Sequence, residues 1–210
     1  MIKILIADDH AILRKGLIEL LREEFPSAEM VEVTNGTDVI DKVREIIFDL
    51  ILLDISMPGK NGIETLKQLR IEGIKAPILV LSMQPEEQYA IRVLKAGGSG
   101  FVNKNNTTEE LIIAVNKTLS GKKYISATIA ELLAENMNND GSINSAHEQL
   151  SDREMQVLQL IASGKTVSEI AEIIYLSVNT VSTYRARILE KLSLHNNAEL
   201  TRYSLDNGLV

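Results

Sequence analysis

The stretch LILLDISMPGKNG, Leu50 to Gly62, decides the fold. Leu50, Ile51, Leu52 and Leu53 form an apolar run that stops abruptly at Asp54, and Met57-Pro58-Gly59 followed by Asn61-Gly62 punctuates a tight loop. A short unbroken apolar run fits a parallel strand covered by helices on both faces, where no polar alternation is required. Asp54 then stands at the carboxyl end of a strand, the edge of an open α/β sheet at which ligands bind. A carboxylate fixed there can serve as metal ligand or nucleophile. A lone aspartate after a strand can equally cap a turn, so its meaning rests on what the other strand ends carry.

Those ends carry chemistry too. Lys3 to Ala7 (KILIA) reads as a strand and runs straight into Asp8-Asp9. Adjacent carboxylates repel each other and are tolerated chiefly where a cation joins them, although Asp9 can also open the helix expected from His10 to Arg22, where acids complement the dipole. Further strands are expected over Glu29–Thr34, over Pro77–Leu81 with Ser82 following, and over Gly100–Asn103 with Lys104 following. Helical periodicity separates them at Thr37–Ile47, Ile63–Ile71 and Glu86–Ala96, and a last helix runs from Thr107 to about Leu119. The cluster Gly97-Gly98-Ser99-Gly100 follows a helix and precedes a strand, the reverse of a phosphate-binding loop, and is read as a helix stop.

Strands alternating with helices imply an α/β fold, a doubly wound five-stranded parallel sheet. Asp8-Asp9, Asp54, Ser82 and Lys104 would then share one sheet edge. The carboxylates make a hard-oxygen pocket suited to Mg²⁺, Lys104 adds a fixed positive charge, and Ser82 adds a hydroxyl. That set fits receipt of a phosphoryl group at Asp54, whose equatorial oxygens need neutralising by metal, ammonium and hydrogen-bond donors.

Composition bounds the rest. A chain of 210 residues accommodates two domains, and 45% hydrophobic content supplies a core for each. The absence of cysteine excludes disulfides and thiolate chemistry. No apolar run approaches a membrane span and Met1-Ile2-Lys3 lacks a secretory pattern, so a cytoplasmic protein without membrane association is expected. The net charge of −7 argues against a polyanion-coating protein and confines any nucleic-acid contact to a local patch.

Residues 123–147 read as a linker with a short helix at Ile129–Leu133 and a flexible, Asn-rich tether from Asn136 to His147, with His147 exposed and inert. A smaller all-α domain is expected over 148–210. Ser151-x-x-Glu154 and Thr166-x-x-Glu169 are capping boxes opening two helices, and Ser177 precedes a third, Val178–Leu192. Val181, Ile188 and Leu192 face inward there, while Thr180, Thr183, Arg185, Arg187 and Lys191 face largely outward; a fourth helix covers Ala198–Asp206. Periodicity alone also allows an inert bundle. The hydroxyls and guanidiniums on the third helix suit base edges and phosphates in a major groove.

With the acid pair, the D-x-x-M-P-x-x-x-G loop, the hydroxyl and the lysine in order, residues 1–122 resemble the flavodoxin-like receiver domain of bacterial two-component response regulators. The resemblance implies that Asp54 is the phosphoacceptor, that Asp9, Asp54 and the Ser56 backbone carbonyl hold Mg²⁺, and that Asp8 contacts the metal through water. It further implies that Lys104 pairs with the phosphoryl oxygens and that Ser82 and Phe101 are switch residues. Many receivers have proline after the lysine, where this chain has Asn105.

Glu154, Gly164, Glu169-Ile170-Ala171, Thr180-Val181 and Lys191-Leu192 stand at spacings that resemble the LuxR-type helix-turn-helix. Receiver plus this domain is the layout of NarL/FixJ-type transcription factors. The resemblance implies a protein that is not an enzyme, that takes a phosphoryl group from a cognate sensor histidine kinase, and that then forms a homodimer on promoter double-stranded DNA. By that alignment Ser182, Thr183 and Ala186 face the bases and Arg185 and Arg187 lie nearer the backbone, with Thr180, Tyr184 and Lys191 completing the DNA-binding set. Family members commonly have lysine and histidine at Ser182 and Tyr184, and asparagine at Val167. From Ser151 to Val210 there are six Lys plus Arg against seven Asp plus Glu, a net −1. Weak binding by one copy and useful affinity from two linked copies are therefore expected.

Overall fold

The apolar run that opens the organising stretch is a strand buried along its whole length in the computed structural model, which describes residues 1–138 and 146–210. The chain divides into two compact units, Met1–Asn138 and Asn139–Val210. The first contains β1 (Lys3–Ala7), α1 (Ala11–Glu24), β2 (Glu29–Val33), α2 (Gly36–Glu45), β3 (Leu50–Asp54), α3 (Gly62–Ile71), β4 (Ile78–Ser82), α4 (Glu86–Lys95), β5 (Gly100–Asn103), α5 (Thr108–Leu119) and α6 (Ala127–Asn138).

The five strands are parallel in the order β2-β1-β3-β4-β5. Strand order reverses at β1, which lies between β2 and β3, and the crevice at such a reversal is where open α/β sheets bind ligands. Alternation divides the core between two faces. Ile4, Ile6, Leu50, Leu52, Leu79, Leu81 and Val102 pack with Ile18 and Leu21 of α1 and Ala114 and Val115 of α5. Leu5, Ile51, Leu53 and Val80 turn the other way and are equally buried. A Leu or Ile side chain fully buried in this way contributes about 1.5–3 kcal/mol, so the central strands anchor the sheet edge on which the chemistry stands.

The first unit extends past residue 122, where the sequence reading placed the start of a linker. Tyr124 is buried, its backbone N–H donates to Ser99 O at 2.8 Å, and its hydroxyl donates to Glu110 at 2.6 Å. Ser126 donates to Glu86 at 2.6 Å, and Ile129 is buried. These contacts hold α6 against α4, so the short helix expected at Ile129–Leu133 is one full element of the first unit. The rest of the expected tether, 139–145, lies outside the described residues.

The second unit begins, among the described residues, with a single 3₁₀ turn at Ala146–Gln149, followed by α7 (Asp152–Ala162), α8 (Val167–Ile173), α9 (Val178–Leu192) and α10 (Asn197–Asp206). Both expected capping boxes form, Ser151 with Glu154 and Thr166 with Glu169. Val181, Ile188 and Leu192 are buried as their spacing indicated. His147, expected to be exposed and inert, is half-buried instead, with its backbone N–H 3.2 Å and its ring Nδ1 3.0 Å from the Tyr203 hydroxyl.

Candidate functional site

Register brings the strand ends together. Ala7 lies beside Leu53, Asp54 beside Leu81, and Ser82 beside Asn103, so Asp8, Asp54, Ser82 and Lys104 are neighbours along one edge. Asp8 and Asp54 are buried. Lys104 Nζ reaches back across β4 to 2.7 Å from Asp8 Oδ2 and 2.9 Å from Asp54 Oδ2, with its own side chain only 9% exposed. The Lys104 backbone N–H is fixed at 2.8 Å from Ser82 O, which sets where that side chain starts. Asp8 is held further by its Oδ1, which accepts from His10 N–H at 2.7 Å, and by its carbonyl, which accepts from Arg14 Nη1 at 2.7 Å.

Asp54 is the electrostatically strained member. Burial pushes its carboxyl above the ordinary value; Lys104 opposes this and Asp8 adds to it. Both Asp54 oxygens and Asp9 Oδ1 are buried without a well-aligned hydrogen bond among the described residues. Native interiors rarely leave buried carboxylate oxygens so poorly satisfied. One ligand atom from each of Asp8, Asp9, His10 and Asp54 lies within 4.8 Å of the others. Hard oxygen donors with free lone pairs fit a hard divalent cation, so the residues present suit the metal that the sequence pattern implied.

The loop after Asp54 explains a glycine read from sequence only as turn punctuation. A Cβ on Gly62 would sit 2.1 Å from Asp54 O, so α3 can start this close to Asp54 only because Gly62 has no side chain. Asn61 caps α3 in a reciprocal capping box with Glu64. Ser56 lies half-buried in the same loop. Ser82 Oγ makes no hydrogen bond to the Asp54 carboxylate; it accepts from the Gln84 backbone N–H at 3.1 Å. Phe101 is fully buried on β5, in register with Val80. His10, read from sequence only as a helix start, is the residue that reasoning missed, since its ring Nδ1 lies 2.9 Å from Asp9 Oδ1.

On α9 the expected DNA-facing set separates into two groups. Ser182, Thr183, Ala186 and Arg187 are exposed, while Tyr184 and Arg185 are half-buried. Arg185 Nε donates to Asn197 Oδ1 at 2.5 Å. Thr180 joins the cap of the helix, its Oγ1 2.7 Å from Ser177 Oγ. Lys191 is exposed, yet its Nζ is tied to its own unit, 2.6 Å from buried Glu154 and 3.2 Å from Gln149 O. Its long-range partner in α7 was not visible in the local pattern of α9.

A buried aspartate beside a lysine at the switch point of a 2-1-3-4-5 sheet, joined in one chain to a capped helix-turn-helix, is the layout of a signalling domain coupled to a DNA-binding one. Residues 4–116 match the response regulator receiver domain and residues 148–204 the luxR family of bacterial regulatory proteins. The chain belongs to the response regulators of this two-part kind, which are transcription regulators rather than enzymes. It is similar to the response regulator UvrY of Escherichia coli, 32% identical over 210 residues that span 100% of this chain and 96% of the relative. It is also similar to BvgA of Bordetella pertussis, named as a transcription regulator of virulence factors, 37% identical over 211 residues and 99% of each chain. Among solved structures, RcsB of Salmonella enterica serovar Typhimurium bound to a promoter in the presence of the phosphomimetic BeF₃⁻ is 28% identical, covers 96% of this chain and 97% of that one, and superposes with a TM-score of 0.60. No helix of the described residues is long and apolar enough to cross a membrane.

Proposed function

We propose that this chain works in the cytoplasm, where Asp54 accepts a phosphoryl group from the phosphorylated histidine of a cognate sensor histidine kinase. The observation that carries this reading is a buried carboxylate with both oxygens poorly satisfied and a lysine 2.9 Å from one of them. In the transfer an Asp54 oxygen forms its bond to phosphorus while the nitrogen–phosphorus bond of the donor breaks, its electron pair leaving on the histidine nitrogen. Lys104 offsets charge on the phosphoryl oxygens, the role a fixed ammonium plays in a site with little water. Mg²⁺, held by Asp9, Asp54 and the Ser56 carbonyl and reached by Asp8 through water, would supply further charge neutralisation when bound.

Ser82 then leaves the Gln84 N–H from which its Oγ accepts and donates its hydroxyl to a phosphoryl oxygen, and Phe101 moves with it. The modified chain forms a homodimer and sets two copies of α9 on promoter half-sites about one helical turn apart. Ser182, Thr183 and Ala186 meet base edges with Tyr184 at their margin, Arg187 meets the backbone, and Arg185 joins it on leaving Asn197. Thr180 and Lys191 act by holding α9 in place rather than by touching DNA.

Intact mass and size exclusion after treatment with a small phosphoryl donor and Mg²⁺ test the reading. One phosphoryl group and a shift to dimer are expected for the wild type, and neither for Asp54→Ala. A phosphoryl group on Asp54→Ala, or none on the wild type, overturns it.

A further inference from the structure

We propose that His10 is a ligand of the cation at the acidic cluster and biases that site toward transition metals over Mg²⁺, an inference that rests on the phosphoacceptor reading above. His10 occupies the N-cap position of α1, yet its side chain makes no cap bond to the helix. Its backbone is fixed instead by the bond from its N–H to Asp8 Oδ1 at 2.7 Å. The ring turns inward, with Nδ1 2.9 Å from Asp9 Oδ1 and 3.4 Å from Asp8 Oδ1.

Buried Asp54, the third carboxylate of the cluster, marks the space as a ligand site: Lys104 Nζ lies 2.9 Å from its Oδ2, and Oδ1 has no hydrogen-bond partner among the described residues. In an octahedral shell with bonds of about 2.1 Å, neighbouring donors lie about 3 Å apart and opposite donors about 4.2 Å apart. Four donor atoms all within 4.8 Å of one another approach that spacing before any cation draws them in. The imidazole coordinates through Nδ1 once the ring proton resides on Nε2, and the ring is exposed enough, at 57%, for water to accept that N–H. Mg²⁺ gains little from a nitrogen donor, whereas affinity for Co²⁺ rises with one.

The test is titration of the full-length wild type, His10→Ala and Asp54→Asn with Mg²⁺ and with Co²⁺, together with paramagnetically shifted proton spectra of the Co²⁺ forms. Because His10 contributes no cap bond to α1, the alanine variant retains the helix start. The expected result is a loss of about tenfold or more in Co²⁺ affinity for His10→Ala, with Mg²⁺ affinity changed less than twofold. A shifted exchangeable imidazole N–H is expected in the wild type and not in His10→Ala. His195, 3.2 Å from the single carboxylate of Glu199, remains in every variant and serves as the internal control for incidental Co²⁺ binding. Equal losses for both metals, or no loss for either, overturn the assignment of His10 while leaving the site itself intact. A wild type that binds neither metal, or whose binding is unchanged in Asp54→Asn, overturns the phosphoacceptor site and the His10 assignment with it.

Discussion

Asp54 is costly to keep ionised. Its carboxyl is raised by burial and by Asp8 and is only partly relieved by Lys104. A group whose folded value lies above its unfolded value of 3.8 weakens the fold at pH above both values, and the penalty disappears as pH falls below the unfolded one. In chelator at pH 7, Asp54→Asn is therefore expected to raise the melting temperature of the first unit. The gain should shrink toward zero as pH falls below the ordinary carboxylate range, and calorimetry across pH checks both. Gly62→Ala acts on the same loop from its backbone side. A methyl group 2.1 Å from Asp54 O forces the loop to shift, at a cost of about 1–3 kcal/mol. Urea unfolding reads that cost, and a fall in divalent-cation affinity reads the displacement of Asp54. The place of Asp54 at a strand end beside Asp8 and Lys104 was legible from apolar runs that each end in a charged residue. The demand on Gly62 was not, because a turn glycine and a close-approach glycine look alike until the neighbouring backbone is in place.

The strands and most helices were readable because their signals are local: apolar runs for the buried strands, and Ser-x-x-Glu and Thr-x-x-Glu for the helix starts. What escaped depends on partners far along the chain. The segment from Tyr124 to Leu133 reads as a linker with a short helix, and it joins the first unit through the bonds from Tyr124 to Glu110 and Ser99 and from Ser126 to Glu86, with Tyr124 and Ile129 buried. Tyr124→Phe removes the first of these bonds and is expected to cost about 1 kcal/mol, read as a lower urea midpoint with unchanged slope. Lys191 escaped in the same way, since Glu154 is 37 residues away. Burial raises the Glu154 carboxyl, but Lys191 and Ser151 together outweigh it and hold the group below its ordinary 4.5. A depressed carboxylate contributes its full stability above the unfolded value and loses it as pH falls through the folded one. Lys191→Ala is accordingly expected to destabilise the second unit by about 1–2 kcal/mol at pH 7, discounted for the partial exposure of the lysine. The difference from wild type should close as pH drops below 4.5, as melting curves of the two proteins at matched pH would record.

For the molecule as a whole, the cations of α9 decide how DNA is met. Arg185 is bonded to Asn197 and Lys191 to Glu154, whereas Arg187 is exposed and makes no ion pair among the described residues. Arg187→Ala is expected to weaken promoter binding on every sequence and to lower the slope of log affinity against log salt by about 1 per copy bound. Fluorescence anisotropy at several salt concentrations measures that slope, and no change in it would remove Arg187 from the phosphate backbone. The same restraint on charge reaches beyond the promoter. A reading unit with a net charge of −1 has little hold on arbitrary sequence, and bulk chromosomal DNA is the main competitor of any regulator for its own sites. Most copies are then expected to remain in free solution until paired. The size of the response would follow the number of paired molecules, with little buffering by the genome.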